Sequence, residues 1–142
     1  MYIEGRVSAS VVNALANNAR HLRRLTFSDV PCHEYLAVAQ ALASAFNQHK
    51  MPALQQLLLT ITDRKMGDEK HFERLDEVNW ALPQRMRYLK LSTDGRRSLG
   101  WFVHNWPQIH APHLQRLSLK PQPNANGMLR VIQTVGRVCL GY

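Results

Sequence analysis

Cys32, His33 and Glu34 stand together in the stretch PCHE, residues 31–34, and side chains of these types could hold a metal or move a proton. A zinc deaminase needs H-x-E with a distant P-C-x-x-C, and PCHE supplies neither element. The expectation is a helix N-terminus in which Glu34 sits favourably against the helix dipole. His104, His110 and His113 fall close together in HNWPQIHAPH, but zinc wants four N, S or O ligands in a tetrahedron. No cysteine or carboxylate lies in that stretch and two prolines interrupt it, so it reads as a hydrated loop between a helix and a strand. The seven glycines are scattered, with Gly95 and Gly127 reading as turn residues, and none builds a phosphate-cradling loop. Ser, His and Asp all occur without a pattern that orients a triad. The chain is expected to be no enzyme, with no metal and no cofactor.

Cationic and aromatic side chains are the next candidates for chemistry. Trp101, Phe102 and Trp106 beside Arg96 and Arg97 could stack single-stranded nucleic acid. Helical spacing places Phe102 and Trp106 on one stripe with Leu99, which favours core packing and leaves Trp101 as the exposed ring. The net charge of +8 is uneven along the 142 residues: residues 95–142 hold six cations and no acidic side chain, and Asp94 is the last acid. That third should attract acidic protein surfaces or polyanions. Two cysteines, Cys32 and Cys139, form no disulfide framework, and no apolar run approaches the roughly 18 residues of a membrane span. An intracellular setting fits, cytoplasmic or organellar. The arginine-rich opening segment faintly resembles a mitochondrial targeting sequence, and IEGR at residues 3–6 has the form of a vector-derived protease site.

The elements that would carry these side chains follow from a pattern of leucines. HLQRLSLKP places Leu114, Leu117 and Leu119 at a step of three and then two, which neither a helix nor a half-buried strand predicts alone. The same step recurs at Leu22/Leu25/Phe27, Leu54/Leu57/Leu59 and Met86/Leu89/Leu91, with starting positions separated by 32, 32 and 28 residues. Strands are therefore expected near 23–28, 55–61, 87–92 and 115–120. Between them, residues 33–50 repeat apolar side chains at Tyr35, Val38, Ala39, Leu42, Ala45 and Phe46, with Asp29 and Pro31 before and Pro52 after. Residues 68–82 show a second stripe at Phe72, Leu75, Val78 and Leu82, and residues 98–106 a third. Further helices are expected at each end, through Val12, Leu15, Ala19 and Leu22 and through Leu129, Ile132 and Val135.

Helices alternating with strands give an α/β fold with a parallel sheet and right-handed crossovers. A sheet covered on both faces would show near-continuous apolar strands, whereas RRLTFS, RYLKLS and QRLSLK alternate, so one face meets water. The four L-x-x-L-x-L strips, each followed by a helix, resemble the long, helix-bearing leucine-rich repeat of the ribonuclease-inhibitor type, over roughly residues 10–135. The family's Asn or Cys after each strip is missing, and Asp29, Asp63 and Asp94 stand in that vicinity. The resemblance implies a single domain over residues 1–142, a short α/β solenoid of about four repeats with parallel inner strands and outer helices. It also implies a protein-interaction scaffold that binds through the inner sheet face.

Strand alternation says which side chains that face would present. With Leu25 and Phe27 inside, Arg24, Thr26 and Ser28 point out, followed by Gln56, Leu58 and Thr60, by Tyr88, Lys90 and Ser92, and by Arg116, Ser118 and Lys120. The strip carries four cations and no acid. The expected partner is an acidic protein surface or the subunits of a larger assembly. RNA phosphates in a ribonucleoprotein such as an organellar ribosome stay open as an alternative, as does a recognition segment of a ubiquitin-ligase-type adaptor. The polar positions Asn13, Asn17, Asn18 and Arg20 suit an N-terminal cap over residues 8–20. Val138, Leu140 and Tyr142 suit an apolar C-terminal end that joins another chain.

Overall fold

A computed structural model of the protein describes residues 1–62, 78–93, 108–111, 113–120, 134–135 and 139–140. Its main sheet grows strand by strand along the chain. The strands β1 (Tyr2–Arg6), β2 (Arg24–Pro31), β3 (Gln56–Thr62), β5 (Tyr88–Thr93), β7 (Arg116–Lys120) and β9 (Cys139–Leu140) lie in the order β1-β2-β3-β5-β7-β9, and every pairing is parallel. Four of them coincide with the leucine strips.

Hydrogen bonding at the strand entrances explains the three-then-two step. The amides of Leu22, Leu54, Met86 and Leu114 each donate to the carbonyl three residues back, on Ala19, Met51, Pro83 and Ala111, at 2.9–3.3 Å. The chain thus turns through one tight loop before β2, β3, β5 and β7, and the residue closing the loop swings inward: Leu54, Met86 and Leu114 are at most 1% exposed, and Leu22 is half-buried. Alternation with period two then takes over, burying Leu25 and Phe27, Leu57 and Leu59, Leu89 and Leu91, and Leu117. One residue into each strip, the carbonyls of Arg23, Gln55 and Arg87 each accept two successive amides of the following strand, at Gln55 and Gln56, Arg87 and Tyr88, and Gln115 and Arg116.

Two helices among the described residues, α1 (Ala9–Asn18) and α2 (Tyr35–Asn47), cover the apolar side of the sheet. α1 buries Val12 and Ala16, and α2 buries all six residues of its expected stripe. The start of α2 differs from expectation. Asp29, Val30 and Pro31 belong to β2, because Val30 and Pro31 still pair with Ile61 and Thr62, and a 3-10 turn at Cys32–Glu34 leads into the helix at Tyr35.

The largest departure concerns the stripe at residues 68–82. Its last part is a strand, β4 (Asn79–Ala81), which pairs in parallel with β6 (Gln108–Ala111), and β6 pairs with β8 (Thr134–Val135). The reason lies in Val78, Trp80 and Leu82: they are buried while Asn79 and Ala81 between them are exposed, a period of two that the helical reading of Val78 and Leu82 overlooked. β8 likewise falls where the last helix was expected, and β9 lies beyond it. The expected helix at 98–106, Trp101 included, lies outside the described residues, as do Val138 and Tyr142. This second, three-stranded sheet shares one apolar core with the main sheet and both helices, in which Trp80, Tyr35, Phe27 and Met51 are among the largest fully buried side chains.

Candidate partner-binding face

The opposite side of the main sheet presents the alternate residues of each strand. In a parallel sheet, paired residues project to the same side, so the registers line them up in rows. One row runs Arg24, Gln56, Tyr88 and Arg116, and the next runs Tyr2, Thr26, Leu58, Lys90 and Ser118. A third holds Thr60, Ser92 and Lys120, in which the hydroxyls of Thr60 and Ser92 hydrogen-bond at 3.0 Å. Ser28 donates to the Ile3 carbonyl at 3.1 Å, which ties β1 to β2.

Most of the expected site residues therefore share one surface. Arg24 and Arg116 are exposed, and Thr26, Gln56, Leu58, Tyr88 and Lys90 are half-buried. Ser118 departs from the expectation: at 3% exposure its hydroxyl is not offered to a partner, because this short side chain sits low in its row beside Lys90. The side chain of Lys120 lies outside the described residues. Tyr2 was missed. It comes from β1, which the leucine pattern does not reach, and at 61% exposure it is the most open aromatic described. The signal for it was the period-two spacing of Ile3, Gly5 and Val7 on one side against Tyr2, Glu4 and Arg6 on the other, just where residues 3–6 also have the form of a protease site.

The guanidinium of Arg116 lies over the Tyr88 ring at 5.0 Å from its centroid. Such a contact contributes roughly 0.5–1 kcal/mol at an exposed site and holds the charge in a fixed place. Among the described residues no carboxylate pairs with Arg24, Lys90 or Arg116. The acids of these strands among the described residues are Glu4 on β1, which alternates with Tyr2, and Asp29 at an irregularity of β2, whose carboxylate accepts the Thr62 hydroxyl. The charge of these strands therefore runs, among the described residues, from mixed on β1 and β2 to positive on β5 and β7.

The chain matches no family model, no curated protein and no solved structure. Geometry alone must then weigh the other candidate residues. Exposed His33 and half-buried Glu34 approach to 4.0 Å ahead of α2. His110 and His113 lie on β6 and in the turn before β7, and His104 is outside the described residues. No group of three or more His, Cys, Asp or Glu side chains among the described residues is placed to share a metal ion. No helix among them is long and apolar enough to cross a membrane.

Proposed function

We propose that the chain is a short leucine-rich-repeat-like solenoid that serves as a non-catalytic scaffold and docks an acidic protein surface on the open face of its main sheet. The observation that carries this reading is the pair of rows through Leu58 and Tyr88, an apolar and aromatic centre rimmed by Arg24, Lys90 and Arg116, with no carboxylate among the described residues paired to those cations. A central patch of this kind supplies affinity, while rim charges steer encounter and reject like-charged partners. The repeat reading draws on the four equivalent entrance turns and on a strand order that follows the chain. The cation-rich C-terminal third supports the same sign of partner.

Isolation of the protein with its native partner, followed by affinity measurement on the Lys90→Glu/Arg116→Glu variant, tests the reading. Binding should weaken by about 1–3 kcal/mol, with stability lowered by no more than about 1 kcal/mol, the scale of the lost Arg116–Tyr88 contact. Unchanged affinity moves the docking surface to the helices or loops. A nucleic acid partner would instead show log affinity falling with log salt by roughly 0.7–0.9 per phosphate contact.

A further inference from the structure

The loops on the entrance side of the sheet enclose a cleft of about 920 Å³. Three successive connections line it: the one before β2 supplies Arg20 and His21, the one before β3 supplies His49, and the one before β5 supplies Arg85. All four side chains are exposed, and among the described residues none makes an ion pair. Among the described residues no carboxylate lines the cleft, and its floor is apolar, with Phe46 at 4% and Leu82 at 9% exposure. The volume lies within the roughly 300–1,000 Å³ of small-ligand sites.

A second observation singles out His49. Helix α2 ends in a Schellman motif, in which the Lys50 amide donates to the Ala45 carbonyl at 3.0 Å and the His49 amide to the Phe46 carbonyl at 3.1 Å. His49 occupies its left-handed position with φ of 53°, where glycine fits without strain. A side chain with a β-carbon is thus held in an unfavourable backbone conformation, and its imidazole lines the cleft. Local strain of this sort clusters where a side chain is needed for binding. The same two hydrogen bonds occupy carbonyls of the helix end, which reduces the negative charge facing the cleft.

We propose that this cleft binds the phosphate monoester of an organic ligand, with the phosphate on Arg20, Arg85, His21 and His49 and the organic part over Phe46 and Leu82. A monoester carries close to two negative charges and three strong acceptor oxygens, whereas a carboxylate offers one charge and two oxygens. Planar guanidinium forks match phosphate oxygens in pairs, and four donor side chains without an acid suit the dianion better. A free phosphorylated small molecule and a phosphorylated side chain of a protein share this chemistry. The proposal does not depend on docking at the open sheet face.

Titration of the full chain with phenyl phosphate, followed by amide chemical shifts and calorimetry, tests it. Saturable one-to-one binding is expected, with shifts centred on residues 20–21, 49–53 and 82–85. Arg20→Gln/Arg85→Gln and His49→Gly should each weaken it about tenfold, the scale of a lost charge-assisted hydrogen bond. His49→Gly relieves the left-handed strain, so its melting temperature should hold or rise, which separates lost binding from lost folding. Arg116→Glu, on the sheet face, should leave phenyl phosphate affinity unchanged. A tyrosine-phosphorylated peptide binding more tightly than phenyl phosphate would identify a protein source, and the reverse order a small molecule. Absence of saturable binding, equal affinity for benzoate, or affinity unaltered by both cleft variants would overturn the proposal.

Discussion

The indole Nε1–H of Trp80 donates to the Ala39 carbonyl in the middle of α2 at 2.9 Å, although 41 residues separate them. The same ring meets Phe46 edge to face, with centroids 6.0 Å apart and planes at 88°. This contact joins β4 of the second sheet to α2, with Trp80 fully buried between them.

Trp80→Ala should therefore cost about 3–5 kcal/mol in urea denaturation, the range for deleting a buried aromatic side chain. A loss below about 1 kcal/mol would mean that β4 does not pack on α2.

Leu57 and Leu89 are paired neighbours in β3 and β5, and both are wholly buried. Leu57→Ala and Leu89→Ala are each expected to lower stability by about 2–5 kcal/mol, because each leaves a cavity in the common core. The two sites touch the same core, so the double variant should depart from additivity by more than about 0.5 kcal/mol.

The ring contact on the open face predicts a coupling. In a double-mutant cycle of Arg116→Ala and Tyr88→Leu, the interaction energy for folding should be about 0.5–1 kcal/mol and should persist in 1 M salt better than a surface ion pair would. No measurable coupling would show that the guanidinium is not held on the ring in solution.

Burial pushes the pKa of the Tyr35 hydroxyl up, so the folded protein keeps it protonated at pH values where the unfolded chain ionises at about 10. Above that pH the unfolded state binds fewer protons than the folded state, and stability falls as pH rises, by up to about 1.4 kcal/mol per unit from this one group. Tyr35→Phe should flatten that part of the stability curve relative to the parent between about pH 10 and 11.5. Identical alkaline slopes for the two proteins would rule out the assignment.

Legibility in the sequence followed the range of the interactions involved. The strips at Leu25/Phe27, Leu57/Leu59 and Leu89/Leu91 were readable because alternation is a property of four or five consecutive residues and the same solution recurs down the chain. From it came the strands, the parallel α/β sheet, the inward side chains and most of the open-face residues, including Arg24, Lys90 and Arg116. α2 was readable for the same reason, since its stripe matches the helical period over its whole length. Chain-local patterns could not decide the rest. Val78 and Leu82 fit a helix by spacing, and only the pairing of Asn79, Trp80 and Ala81 with Gln108, Ile109 and His110 selects the strand. Tyr2 joins the open face only because β2 is present to pair with β1, and Ser118 leaves the accessible surface only because of where its neighbours stand. The cleft of Arg20, His21, His49 and Arg85 gathers three connections that are some 30 residues apart in the chain. No local pattern announces it, because charges so far apart meet only when the strands between them pair in register and bring their loops to one end of the sheet.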